Sequence, residues 1–264
     1  MEFTTIRFEK SDRIGTITLN RPDNMNTFNI VMLRELITAF ETAALDDEIR
    51  VVILTGEGRA FCAGADVKGV DELLGIHLEQ IEDSDIMKLV NRLVVTIRQV
   101  PKPVVAVLNG VAAGAGANFA LACDIIIASE KARLAENFIN IGLIPDGGGT
   151  FFLQGRIGYQ RAAEIFFTGK ILSAQEALDL GLYNCVVPPE DLLEKVREFA
   201  RELAEKPPRA IAAGKALLNR ETIPRLRGYL EDEAKYQRLM AATQDAREGI
   251  TAFIEKRKPK FIGK

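Results

Sequence analysis

Tryptophan is missing from this chain, and histidine occurs once. A Ser-His-Asp triad or a histidine-rich metal site would therefore have to be built on His77, which lies in DELLGIHLEQIED with no nucleophile beside it. It reads as a solvated helix residue, so any acid/base chemistry falls to a carboxylate, tyrosine, lysine or cysteine. Cysteine is scarce too. Cys62, Cys123 and Cys185 are odd in number and far apart, which argues against a disulfide framework or a zinc site. No apolar run approaches the ~20 residues of a membrane span. The opening MEFTTIRFEK lacks the apolar centre of a signal peptide, so a reducing cytoplasm is the expected setting. Neither sign of charge dominates: 34 Lys and Arg against 37 Asp and Glu leave a net charge of -3. Neither nucleic acid nor an anionic membrane is expected as a partner.

What is present is an ordinary globular composition, 47% hydrophobic over 264 residues. That suits one large domain, or one domain with an appendage. TTIRFEK and IGTITLN read as strands around a turn at Ser11-Asp12. RPDNMN breaks the pattern, and Ile30, Leu33, Ile37, Phe40 and Ala44 then recur at helical spacing. VVILTG is a short apolar run of the kind a buried strand shows. A polar stretch from Asp66 to Gln99 has helical periodicity, and PVVAVLNG, a glycine-rich turn, a helix and DIIIAS follow. Alternation of this kind predicts an α/β domain with largely parallel strands. SAQEALDLGL reads as a short helix, YNCVV as a last strand, and Pro188-Pro189 as the opening of a long helix, DLLEKVREFARELAEK. From Pro207 onward only helices are expected, with apolar faces that need either the main domain or another subunit to cover them. The division falls into 1–206 and 207–264.

Two loops share one design. GEGRAFCAGAD (56–66) follows the VVILTG strand, and NGVAAGAGANFALA (109–122) follows PVVAVLNG. Small residues where a strand hands over to a helix expose backbone N–H groups that stabilise negative charge. On neighbouring parallel strands such amides can converge on one oxygen as an oxyanion hole. Two alternatives stand beside this: small residues serving only tight packing, and a dinucleotide site. The second has just a partial G-x-G-x-x-G, with Phe119 where the third glycine belongs. A third stretch, NIGLIPDGGGTFFL, sets Asp146 between an apolar approach and three glycines. Asp146 is either the N-cap of a helix starting in the glycines or a carboxylate presented for chemistry.

Taken together, TLNRP (18–22), GRAFCAGAD (58–66), NGVAAGAG (109–116), IGLIPDGGGT (141–150), LSAQEALDLGL (172–182) and REGITAFIEKRKPKF (247–261) resemble the enoyl-CoA hydratase/isomerase (crotonase) family, in order and over essentially the whole chain. The resemblance is greatest to the branch of phenylacetyl-CoA-pathway isomerases. It implies a spiral of ββα units, a C-terminal helical region for trimer assembly, and trimers that pair as hexamers. It implies an acyl-CoA thioester as substrate and no separate cofactor or metal, coenzyme A being part of the substrate. The implied oxyanion hole is the amides of Ala65 and Ala115. Ala63 and the segment Ala65, Asp66, Val67 and Lys68 would line the acyl-CoA with Phe138, and Lys256 would reach its phosphates from a neighbouring subunit.

Departures from the family pattern carry more information. Hydratases of the family hold two glutamates where this chain has Asn118 and Phe138, so the usual two-carboxylate hydration machinery is missing. Asp146 stands where the isomerase branch has its catalytic aspartate. The expectation is an enoyl-CoA isomerase working through an enolate, with Asp146 as acid/base and its pKa raised by Ile144, Pro145 and Phe138. The rival reading is hydration, for instance of a cyclic dienoyl-CoA, with Asn118 positioning water. A nucleophilic Asp146 acting on an aryl-CoA is disfavoured by the lack of tryptophan and by Ile139 where that branch has histidine. A non-catalytic acyl-CoA binder is a further alternative. Among lesser candidates, Asp66 reads as a helix cap, Cys62 as a packed residue and Glu136 as a possible second acid. KRKPK reads as a solvated tail or a grip on anionic coenzyme A.

Overall fold

The structure, a computed structural model, describes residues 3–66 and 85–264. His77, Val67 and Lys68 lie outside the described residues, as does most of the stretch read as helical after Asp66. Strands β1 (Ile6–Ser11) and β2 (Ile14–Leu19) form the expected antiparallel hairpin, with Ile6 opposite Leu19. Helix α1 (Ile30–Leu45) is capped by Asn29, whose Oδ1 accepts from the Met32 N–H. It buries Leu33, Leu36, Ile37 and Phe40 on one face, and each such side chain contributes about 1.5–3 kcal/mol.

Beyond α1, each turn of chain deals one strand to each of two sheets. The strands β3 (Val51–Gly56), β5 (Val104–Leu108) and β7 (Ile125–Ser129) are the runs legible as buried strands. Three short partners follow them: β4 (Ala60–Cys62), β6 (Val111–Ala113) and β8 (Arg133–Ala135). With β9 (Ile171–Ser173) and β10 (Cys185–Val187), the large sheet runs β1-β2-β3-β5-β7-β10 and the small one β4-β6-β8-β9. All pairings beyond the first hairpin are parallel except β8 with β9. The expected α/β spiral of ββα units is the architecture observed. The loops of interest leave β4 and β6, not β3 and β5 as the sequence suggested. A three-residue strand is too short to show periodicity.

Helix α2 (Asp85–Gln99) packs on α1, and α3 (Ala115–Ala122) is buried along its whole length. Helices α4 (Gly149–Ile157), α5 (Tyr159–Thr168) and α6 (Ala174–Asp179) follow, the last with a complete Ser173/Glu176 capping box. Helix α7 (Leu192–Ala204) starts later than expected. Pro188 accepts the Asp191 N–H in a turn that leads into it, so the prolines precede the helix.

After residue 207 come α8 (Pro208–Asn219), α9 (Thr222–Ala241) and α10 (Gln244–Ile254). The main domain covers one face of these helices, burying Leu226 and Leu230 of α9 and Ile250 of α10, while Leu217 and Leu218 of α8 and Phe253 and Ile254 of α10 stay exposed. Lys215 of α8 is buried and donates to Asp124 at 2.6 Å, while Arg98 donates to Asn219 at 2.5 Å. Among the described residues no helix is long and apolar enough to cross a membrane.

Candidate active site

The two small-residue loops are neighbours because β4 and β6 pair in parallel, Cys62 opposite Ala112. Ala65 forms a parallel bridge with Phe28, in which Phe28 N–H donates to Gly64 O at 2.9 Å and Asp66 N–H to Phe28 O at 3.0 Å. That pattern uses the flanking residues' groups and leaves the Ala65 N–H pointing away. Ala115 is the first residue of α3, where an amide has no acceptor within the helix. Among the described residues, neither the Ala65 nor the Ala115 N–H donates to a backbone acceptor.

Glycine supplies the geometry here. Gly114 caps α3 at φ 54°, and a β-carbon on it would stand 3.3 Å from the Phe138 ring. A β-carbon on Gly116 would stand 2.6 Å from both the carbonyl oxygen and Sγ of Cys62. The packing explanation therefore holds for Gly116, and it sits beside a free amide at Ala115. Cys62 is the packed residue expected, its thiol pushed up to about 12 by burial.

Asp146 does not cap α4. The cap residue is Gly148, with no side-chain bond from Asp146. The cap comes from elsewhere: Glu233 of α9 accepts from Gly148 N–H at 2.7 Å, from Thr150 N–H at 3.0 Å, and from the Thr150 hydroxyl. A carboxylate on these first amides has the favourable sign for the helix macrodipole. Four residues on, on the same face of α9, Gln237 spans the other side of the loop. Its Nε2 donates to Asp146 Oδ2 at 3.0 Å and its Oε1 accepts from Ile144 N–H at 3.1 Å.

That leaves Asp146 Oδ1 buried with no hydrogen-bond partner. The side chain is 8% exposed, and burial lifts its pKa to about 6 against the opposing bond from Gln237. Gly147, the next residue, packs on α3: a β-carbon there would stand 3.5 Å from Asn118 Cβ and 3.6 Å from Ala115 Cβ. The turn that carries Asp146 is thus packed against the start of α3.

Asn118 is fully buried, and its Nδ2 donates to the Asp146 carbonyl at 2.7 Å. Glu136 is fully buried behind the same turn, both oxygens unpartnered. Burial, then the Asp146 and Glu233 charges, hold its pKa well above the carboxylate range against an opposing interaction with the Asn118 side chain. Glu233 is pushed up to about 7, chiefly by burial. Among the described residues no group of three or more His, Cys, Asp or Glu is placed to hold a metal.

Among the other sequence candidates, Phe138 stands against Gly114 at the start of α3. Asp66 pairs with Arg21 at 2.7 Å, and the residues it was expected to cap lie outside the described ones. Ala63 donates its N–H to Met25 O at 3.1 Å and is half-buried beside Gly64. Phe138 is half-buried in the short 3-10 turn Asn137–Ile141. Lys256 is exposed just past α10, its backbone N–H donating to Phe253 O at 3.2 Å. Reading the sequence missed Glu233 and Gln237. Their signal is two polar residues four apart on the stripe that also carries Leu226, Leu230 and Ala234, all buried.

The family model for enoyl-CoA hydratase/isomerase matches residues 9–264. The chain is 40% identical to the 1,2-epoxyphenylacetyl-CoA isomerase of Escherichia coli K12, with 100% of each chain covered. It is 39% identical, again over 100% of both, to a probable enoyl-CoA hydratase of Rhodobacter capsulatus. Among solved structures, an enoyl-CoA hydratase from Mycobacterium avium subsp. paratuberculosis superposes with a TM-score of 0.89 at 34% identity, covering 99% of this chain and 100% of that one. With its two sheets, its paired small-residue loops and its C-terminal helices, this chain belongs to the enoyl-CoA hydratase/isomerase (crotonase) family of acyl-CoA enzymes.

Proposed function

We propose that the protein is an enoyl-CoA isomerase in which Asp146 moves the proton. The observation that carries this reading is the buried Asp146 carboxyl, with one oxygen held by Gln237 and the other left without a partner, on a turn packed against α3. Holding the thioester oxygen on the Ala65 and Ala115 amides stabilises the enolate formed when the α-carbon loses a proton. Asp146 takes that proton and returns it at the γ-carbon, so the double bond moves from the 3- to the 2-position and one base serves both transfers. A pKa near 6 suits this chemistry, because the group is ionised at neutral pH and still a better base than an ordinary aspartate.

Hydration is less well supported. Asn118, the residue left to position a water, is fully buried and gives one of its two amide N–H groups to the Asp146 carbonyl, and Glu136 has no exposed surface. The 40% identity to an epoxyphenylacetyl-CoA isomerase is in keeping with isomerase chemistry, although a hydratase relative is nearly as similar. Residues 207–264 are proposed to join copies of the chain as well, since Leu217, Leu218, Phe253 and Ile254 present apolar surface on α8 and α10. Incubation with 3-enoyl-CoA and 2-enoyl-CoA in heavy water tests the reaction. Isomerisation leaves the mass unchanged apart from deuterium. A product heavier by one water replaces this reading with hydration.

A further inference from the structure

Glu136 is the buried acid to which the proposed isomerisation gives no role. It follows β8, is fully buried, and neither oxygen has a partner. Asn118 beside it has one satisfied end and one unsatisfied: Nδ2 on the Asp146 carbonyl, Oδ1 on nothing. The amide cannot be turned over, because the Asp146 carbonyl requires a donor. Gly149 shows how close these groups are. A β-carbon there would stand 2.7 Å from Asn118 Nδ2, 3.2 Å from Asn118 Oδ1 and 3.2 Å from Glu136 Oε2. Only glycine fits the spot where the amide and the carboxyl meet.

An ionised Glu136 would set its charge beside the unpartnered Asn118 Oδ1 in a dry site, where the Asn118 side chain is the one group that favours that charge. One proton resolves both defects at once. The protonated carboxyl becomes a donor and Asn118 Oδ1 supplies the acceptor, which gives the unpartnered oxygen of Asn118 a bond. The titratable groups that act on Glu136 are Asp146 from the glycine turn and Glu233 from α9. Both are acids, and both favour its neutral form.

We propose that Glu136 is a positioning residue, held as a neutral carboxylic acid whose O–H donates to Asn118 Oδ1. Asn118 is thereby locked onto the Asp146 carbonyl, and the glycine turn carries the Asp146 carboxylate at one fixed distance from the Ala115 amide. With no exposed surface, Glu136 touches no substrate and acts only through Asn118. The inference rests on Asp146 being the base.

Two replacements and one spectrum test it on the full-length protein. Glu136→Met removes the donor at similar volume. It should keep KM and lose roughly 10- to 100-fold in kcat, the range expected when a reacting group is displaced by a fraction of an ångström to an ångström. Glu136→Gln restores a neutral donor and should recover most of that loss. Since neutral replaces neutral, the acid limb of its pH–rate profile should coincide with that of the unaltered enzyme. Infrared spectra at about pH 8.5, where Asp146 and Glu233 are ionised, should show a protonated-carboxyl carbonyl band that Glu136→Gln lacks.

Three results overturn the proposal: full kcat in a folded Glu136→Met, an acid limb that moves down in Glu136→Gln, or no such band. Should Glu136→Met fail to fold, the glutamine variant and the spectrum still decide. Asp146→Asn separates the two readings. If it stays active, the base assignment fails whatever the infrared band shows. If it is inactive while Glu136→Met is fully active, only the positioning role fails.

Discussion

Replacing Asp146 with asparagine should abolish isomerisation and make the protein more stable. The carboxyl is raised from 3.8 to about 6 in the fold, mainly because burial disfavours its charge. A raised acid contributes stability that is fully present below the unfolded value and is lost as the pH climbs through the folded one. Across that interval the native enzyme forfeits about 3 kcal/mol by ionising Asp146 in place. Asparagine has the same shape, still accepts the Gln237 N–H, and carries no charge at any pH. Asp146→Asn should therefore exceed the native stability by about 3 kcal/mol at pH 8 and by only about half of that at pH 5. Urea unfolding at the two pH values and one fixed protein concentration gives both numbers from the midpoints and slopes. In parallel, kcat should fall by roughly 10²- to 10⁴-fold, the usual worth of a general base. A variant less stable than native at pH 8, or a gap that does not change with pH, would refute the reasoning. Either result would mark Asp146 as a satisfied structural anion and not a base held in an unfavourable place. Trading stability for a reactive group in this way is a common pattern at active sites.

Three further outcomes follow from the same geometry. In the native enzyme kcat/KM should fall tenfold per pH unit below about pH 6, and Gln237→Met, which removes the bond lowering the Asp146 pKa, should move that limb up by about one unit; an unmoved limb counts against Gln237 as the tuning group. Glu233→Ala strands the Gly148 and Thr150 amides and should cost about 2–4 kcal/mol in unfolding experiments. It should also reduce kcat more than it raises KM, and a loss confined to KM would contradict the placement of the loop by α9. Gly116→Ala drives a β-carbon into Cys62, so thermal unfolding should register a loss of about 1–3 kcal/mol and kcat should drop as the Ala115 amide shifts; a fully active and stable alanine variant would show that this contact yields freely.

How much of this was legible in the sequence depended on the range over which each signal acts. Long periodic segments announced themselves: the amphipathic face of α1 and the apolar runs of β3, β5 and β7 appeared where residue spacing put them. The small sheet did not, because three-residue strands such as β4 and β6 carry no period and depend on pairing with sequence-distant neighbours. Capping by an adjacent residue occurs at Asn29 and Ser173, although the sequence reading named neither. It was misleading at Asp146, where residue type favours a local cap that the structure assigns to Glu233, 87 positions away by the numbering. Nothing local at Asp146 reports that a distant carboxylate already serves those amides.

That long-range cap bears on the role proposed for Asp146. An aspartate next to a helix start would ordinarily turn onto the free amides and become a well-solvated anion with a low pKa. Glu233 occupies the Gly148 and Thr150 amides first, and Gln237 takes only one of the two Asp146 oxygens. Deprived of the amides, Asp146 keeps an oxygen with no partner and a pKa near 6. Helix α9, which the sequence suggests only as part of an assembly region, is thus what denies Asp146 the role its residue type prefers. The reactivity proposed for Asp146 follows from the satisfaction of its neighbours, and any substitution on α9 that frees those amides should return the carboxylate to capping and silence it.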